Sequence, residues 1–116
     1  MPFDVGEFLP LTPATFHILL ALGDQERHGY AIMREVAEVT DSQLRLGPGT
    51  LYGAIKKLLS DGLIEEADER PDPALDDSRR RYYRLTRHGA RVATAEAQRL
   101  AQLVALARRK NLLSPA

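Results

Sequence analysis

The chain has 116 residues, of which 44% are hydrophobic, and this is enough for one packed core. It contains no Trp and no Cys, so the core is aliphatic, and disulfides, thiolate zinc sites and cysteine nucleophiles are excluded. The 16 basic and 16 acidic residues cancel. Because the sequence shows no basic leader and no apolar run of about 18 residues, we expect a cytoplasmic protein without a membrane segment.

Two helices are predicted in the first third of the chain. Thr12-Pro13 places a side-chain cap before a proline at the first helical position, so a helix starts there and ends before Gly23. The polar stretch 24–28 predicts a connecting turn. A second helix is predicted from Gly29 to about Thr40. Its apolar face has helical spacing and consists of Tyr30, Met33, Val36 and Ala37.

A third helix is predicted from about Pro48 to Ser60. One side of it must be buried, because apolar residues recur at positions i, i+4, i+7 and i+8. These are Leu51, Ile55, Leu58 and Leu59. The opposite side is small near its beginning and basic further on. It consists of Gly49, Thr50, Gly53, Lys56, Lys57 and Ser60. Asp61-Gly62 ends the helix, since glycine accepts the left-handed conformation of a terminal cap.

A β-hairpin is predicted next, with strands at residues 63–67 and 81–85 and a long tip at residues 68–80. Alternation along the second strand places Tyr83 and Leu85 on one face, which we expect to be the core face. The charges here are segregated. Residues 61–77 contain eight acids and one base, whereas residues 79–91 contain six arginines and no acid. The zero net charge therefore does not exclude a nucleic-acid partner.

The last helix starts at the Thr86 cap and is predicted to run to about Arg109. Its apolar seam has spacings of three and four and consists of Ala93, Ala97, Leu100, Leu103, Val104 and Ala107. A helix of this length extends beyond a three-helix domain, so the seam predicts the same helix of a second copy as its partner. The alternative is that it packs on its own domain. We expect residues 1–85, with an apolar N-terminal arm, to form one domain and residues 86–116 a dimerisation helix and tail.

The predicted order of elements is that of a winged helix-turn-helix, a mainly α fold with a small β-hairpin. The major groove of DNA admits one α-helix, and small residues near its start allow close approach to the bases. Short motifs over residues 12 to 90 resemble those of the PadR family of transcriptional regulators. They are His28-Gly29-Tyr30, Gly49-Thr50-Leu51-Tyr52, Lys57-Leu58-Leu59 with Gly62-Leu63-Ile64, and Arg81-Tyr82-Tyr83-Arg84-Leu85-Thr86 with Gly89.

The resemblance implies a homodimeric repressor of palindromic sites on double-stranded DNA, released by a small hydrophobic or aromatic effector. It assigns DNA contacts to Thr50, Tyr52, Lys56, Lys57, Arg81 and Tyr82. The residue pattern adds Gly49 and Gly53, which permit close approach, and Arg79 and Arg80, which lead into the second strand. Gly62 and Gly89 are expected to serve turns.

Other interpretations remain open at this point. Arg79, Arg80 and Arg81 could simply balance the acids before them, and Tyr52 and Tyr82 could be half-buried packing residues. A winged helix could also serve as a protein-interaction module. No metal or other cofactor is expected, because His17, His28 and His88 are isolated at unrelated spacings. No nucleophile motif or phosphate-binding glycine loop is present, so an enzyme is not expected.

Overall fold

The computed structural model describes residues 2–67 and 81–115. The elements in these ranges are a 3-10 helix (Val5–Phe8), α1 (Pro13–Ala21), β1 (Arg27–His28), α2 (Gly29–Val39), α3 (Pro48–Ser60), β2 (Ile64–Glu66), β3 (Tyr82–Leu85) and α4 (Arg87–Arg109). The predicted mainly α fold with a small β element is confirmed. Among the described residues, none of the helices is both long and apolar enough to cross a membrane.

Side chains cap the first turns of three helices. The predicted caps of α1 and α4 are confirmed, because Thr12 Oγ1 accepts the N–H of Thr15 at 3.2 Å and Thr86 Oγ1 accepts that of Gly89 at 3.0 Å. At α2 the cap is a histidine, whose Nδ1 accepts the N–H of Ala31 at 3.1 Å. Each bond satisfies a backbone donor that has no partner inside its helix.

Within residues 2–67 and 81–115 the sheet has three strands in the order β1-β3-β2, all antiparallel. The prediction of a plain turn at residues 24–28 is therefore wrong in part, since Arg27 and His28 pair with Tyr83 and Tyr82 of β3. A strand of two residues has no alternation that a sequence could display, and it exists because β3 offers it a free edge. The guanidinium of Arg27 secures it by donating to the Ala21 carbonyl oxygen at 2.7 Å.

The core lies where α1, α2 and α3 meet the sheet and the first turns of α4. The predicted inward side of α3 is confirmed, since Leu51, Ile55 and Leu58 are buried and Leu59 packs against them half-buried. The predicted inward face of β3 is confirmed as well, with Tyr83 buried and Leu85 half-buried. Burial raises the pKa of the Tyr83 hydroxyl, and the nearby Glu66 carboxylate raises it further.

The predicted inward face of α2 is confirmed at Val36, which is buried, and at Met33, which packs against the core, but it is wrong at Tyr30. Ile32 and Val36 are completely buried, whereas Tyr30 is 44% exposed and stacks on the ring of His28. The reason is the contact of Gly29 with α3, because a Cβ at Gly29 would meet the Tyr52 hydroxyl oxygen at 2.5 Å. Residue 29 therefore faces inward on the same side as Ile32 and Val36, and residue 30 faces outward.

Gly89 does not serve a turn, contrary to the prediction, because it lies buried inside the first turns of α4. A Cβ at this position would collide with the carbonyl oxygen of Leu63, so only glycine lets the helix approach the chain before β2. Two hydrogen bonds secure this approach. The Thr86 N–H donates to the Leu63 oxygen at 3.1 Å, and the Thr86 hydroxyl donates to the Gly62 oxygen at 2.6 Å.

The N-terminal arm packs on the first half of α4. The ring of Phe3 stacks on His88 with 3.8 Å between centroids, and the Arg91 guanidinium lies 5.4 Å from the Phe3 ring centre. The arm is fixed again further along, where the N–H of Leu11 donates to Glu96 Oε2 at 3.0 Å. These contacts cover the inward face of α4 as far as residue 96 and leave its second half outside the domain.

Glu96 is the one buried charged residue among those described, with 2% of its surface exposed. Arg99 donates to both of its carboxylate oxygens, at 2.6 and 3.1 Å. The bonds from Arg99 hold the pKa of Glu96 below its ordinary value of 4.5, and the Leu11 N–H adds to this effect against the opposing effect of burial. A charged side chain in the seam of an amphipathic helix is not expected from the sequence pattern.

Replacing Glu96 with glutamine is expected to lower the free energy of unfolding by about 2 kcal/mol at pH 7, because hydrogen bonds to a charged partner are lost. The depressed pKa stabilises the fold fully above pH 4.5, and this contribution disappears as pH falls through the lower pKa of the folded state. Denaturant unfolding at pH 7 and at pH 3 measures the difference. Glu38→Gln, at a 67% exposed side chain, is the control and should change little. An equal loss for Glu96→Gln at both pH values would contradict the assignment.

Candidate nucleic-acid interface

The predicted outward face of α3 is open to solvent. Its members, Gly49, Thr50, Gly53, Lys56, Lys57 and Ser60, are all exposed. Cβ atoms at Gly49 and Gly53 would touch no described residue within 4 Å, so neither the arm nor the described part of the sheet covers the face. A backbone with so little side-chain bulk could approach base edges closely.

The two lysines of this face have different surroundings. Lys56 is exposed and has no ion-pair partner within residues 2–67 and 81–115. Lys57 is exposed too, but its Nζ lies 3.1 Å from Oδ2 of Asp61, one turn further along. The neighbouring lysines therefore differ in how readily they can meet a phosphate.

Arg45 is a third cation near the face, and sequence reasoning missed it. It is exposed, it lies three residues before Pro48, and it has no salt bridge to another described residue. The first turn of α3 also presents backbone N–H groups and the positive end of the helix dipole. An isolated base just before a predicted recognition helix was the signal that could have revealed it.

Tyr52 lies on the flank of α3 that faces α2. It is half-buried and packs against the core, and its ring fills the space that Gly29 leaves open. The motifs around Gly29 and Tyr52 therefore make one contact between two helices. This contact explains Tyr52 as a half-buried packing residue, which is the alternative to DNA contact that the sequence left open.

The antiparallel strands β2 and β3, which we call the wing, carry ion pairs. Arg81 Nη1 lies 3.6 Å from Glu66 Oε1, and Arg84 bonds Glu65 at 3.0 Å and Glu26 at 3.4 Å. Tyr82 is half-buried, with its ring edge-on to His28 at 5.2 Å between centroids. Arg79, Arg80 and the acidic stretch 68–77 lie outside the described residues. The described arginines of the wing are thus partly neutralised by acids of the same sheet.

The seam predicted on α4 divides into two parts. Ala93 is half-buried against the domain's own core, and Ala97 is exposed beside the covered face. Leu100, Leu103 and Ala107 continue the line of Val92 and Glu96 at helical spacing. Leu100 and Ala107 are half-buried, whereas Leu103 is exposed. Leu103 is 51% exposed, Val104 38% and Leu106 38%. The second half of α4 therefore carries an apolar face that no described part of its own domain covers.

No group of three or more histidines or acids among the described residues could hold a metal ion. These elements define a winged helix-turn-helix domain of the DNA-binding kind. They are α3 with its exposed small and basic face, the sheet that contains the wing, and the projecting α4. The chain belongs to the PadR-like family of transcriptional regulators, whose model matches residues 18–95. Members of this class are regulators and not enzymes.

Individual relatives agree with this assignment. The chain is 33% identical to the transcriptional regulator Rv3488 of Mycobacterium tuberculosis over 87 residues, 75% of each chain. It is 36% identical over 86 residues to an uncharacterized 37.1 kDa protein in a transposon of Streptomyces fradiae, and the match covers 74% of this chain but 22% of that longer protein. The crystal structure of a PadR family transcription regulator from Clostridium difficile superposes with a TM-score of 0.69 at 26% identity, covering 84% of this chain and 97% of the other.

Proposed function

We propose that this chain is a homodimeric repressor that binds a palindromic operator through α3. The observation that carries the proposal is the open face of α3, which combines small residues with Lys56 and lies just after the exposed Arg45. Neither of these two cations pairs with an acid in the described part of the chain. In a twofold dimer, two copies of this helix would enter successive major grooves about 34 Å apart. The predicted DNA contacts of Gly49, Thr50, Gly53 and Lys57 belong to the same proposal, and those of Arg79, Arg80, Arg81, Tyr82 and Tyr52 are secondary to it.

We propose that residues 1–85 bind DNA and that the second half of α4, within residues 86–116, forms the dimer. α4 has 23 residues, which makes it about 34 Å long. Its inward face is well covered up to Glu96, and the exposed part is centred on Leu103, Val104 and Leu106, with the half-buried Leu100 and Ala107 beside them. The same face of a second copy offers matching apolar surface, and a symmetric contact of this kind closes after two subunits.

We further propose that a small hydrophobic or aromatic effector binds between the subunits and weakens operator binding. This follows from the family resemblance, and the uncovered apolar face of α4 supports it because it would border any space between the subunits. A dissociation constant that rises with added aromatic compound would support this part.

The second candidate is a protein-interaction module without operator binding. The ion pairs of the wing arginines and the uncovered leucines of α4 favour it. Fluorescence anisotropy with a duplex from the region upstream of the coding sequence, set against a shuffled duplex, separates the two candidates. Saturable binding with a preference for the upstream duplex at about 0.15 M salt supports the regulator. The absence of binding to either duplex supports the interaction module.

Lys56→Ala is expected to weaken binding equally on the upstream and the shuffled duplex, because a lysine that contacts phosphate does not distinguish bases. The slope of log K against log salt should become shallower by about 0.9, which is the effect of one phosphate contact. Anisotropy titrations at several salt concentrations measure this. Lys110→Ala, beyond the last turn of α4, is the control and should leave the slope unchanged. A change on only one of the two duplexes would mean that Lys56 reads a base.

A further inference from the structure

Asp61 lies beside the proposed DNA-binding face and is not one of the proposed DNA contacts. Its carboxylate lies 3.1 Å from the Nζ of Lys57. We propose that Asp61 acts as an intramolecular competitor for phosphate, which removes most of the contribution of Lys57 to DNA binding. This inference rests on the proposed DNA-binding function.

The acid is the fixed member of the pair. The side chain of Asp61 is 26% exposed, and its backbone N–H donates to the Lys57 oxygen at 2.9 Å at the end of α3. The side chain of Lys57 is 77% exposed and can swing towards a ligand. When DNA arrives, Lys57 can leave the carboxylate, but the negative charge of Asp61 stays close to the phosphates.

The helix dipole does not explain an acid at this position. The C-terminal end of a helix is the negative end of its dipole, where a carboxylate is unfavourable and a lysine favourable. Lys57 in the last turn fits this rule, whereas Asp61 at the cap goes against it. A neutral, isosteric asparagine in its place removes this unfavourable charge and leaves Gly62, the left-handed residue that ends the helix, unchanged. Asp61→Asn therefore tests the charge without harming the fold.

The consequence is a difference between two adjacent lysines. A phosphate contact by Lys56 releases a counterion from DNA and contributes about 0.9 to the salt slope. A phosphate contact by Lys57 releases a counterion as well, but the carboxylate of Asp61 then loses the lysine ammonium and binds a cation from solution in its place. The two effects cancel, so Lys57 should contribute little to the slope while Asp61 is charged.

The experiment is a set of anisotropy titrations on one duplex that the wild-type protein binds. The salt concentration runs from about 0.05 to about 0.3 M, over which the salt dependence caused by phosphate contacts is measurable. Asp61→Asn should steepen the slope by about 0.9 and tighten binding roughly 5- to 10-fold at 0.1 M salt. Lys57→Ala should change the slope much less than Lys56→Ala does. In the Asp61→Asn background, Lys57→Ala should remove the whole gain.

Asp24→Asn removes the same charge from a pair with Arg27 that lies outside α3, and it controls for net charge. Thermal unfolding of Asp61→Asn should show a midpoint at or above that of the wild type. A slope of Asp61→Asn equal to that of the wild type, or of Asp24→Asn, would overturn the role of Asp61 while DNA binding itself stands. Failure of the wild-type protein to bind any duplex would overturn the DNA-binding proposal, and this inference with it.

Discussion

Replacing Leu103 with glutamate is expected to turn the proposed dimer into monomers and to weaken binding to the proposed operator at least about 100-fold. The physical reason is that Leu103 lies at the centre of the uncovered face of α4, where a dimer would bury a carboxylate without a partner. A monomer binds only one half-site of the operator at a time. The gain in affinity from binding both half-sites at once, about 100-fold or more, is therefore lost. Sedimentation velocity and anisotropy on the same preparation measure both effects.

The control for this experiment is Ala105→Glu, which adds the same charge at an exposed position on the opposite side of α4. It should remain dimeric and bind the operator as the wild type does. Because Leu103 is 51% exposed within its own chain, the glutamate variant should fold normally. A Leu103→Glu protein that sediments as a dimer would place the interface on another surface.

Gly89→Ala is expected to lower the free energy of unfolding by about 3 kcal/mol, at the upper end of overpacking effects. The added methyl group would collide with the carbonyl oxygen of Leu63, which belongs to the backbone and cannot move aside as a flexible side chain could. Relief requires α4 to move away, and this breaks the two Thr86 hydrogen bonds to residues 62 and 63. Denaturant unfolding followed by circular dichroism measures the loss.

Gly53→Ala is the matched control, because it makes the same substitution inside a helix where no described residue lies within 4 Å of the new Cβ. Here the methyl group should raise the free energy of unfolding by about 0.5 to 1 kcal/mol, since alanine favours the helix more than glycine does. If the two variants had similar free energies of unfolding, the close approach of α4 to Leu63 would not contribute to stability.

The sequence predicted the features that depend on local rules. The caps at Thr12 and Thr86, the inward side of α3 and the length of α4 all follow from spacing and capping chemistry, which act within a few residues. The open side of α3 was also predictable, because a helix that buries one stripe must present the opposite one. The motifs placed the chain in its family for the same reason, since each motif is a short local pattern.

Other features depend on contacts between distant parts of the chain, and only the tertiary structure decided them. The two-residue strand β1 exists because β3 pairs with it. Glu96 is bonded by its neighbour Arg99 and also by the N–H of Leu11, 85 residues earlier, and only the fold brings Leu11 to it. The close contact of Gly29 with the ring of Tyr52 joins two helices, and the pattern within α2 alone does not reveal it. Local sequence thus determined which segments are helices and which side α3 buries. Packing determined which charges are paired and which remain available to a partner.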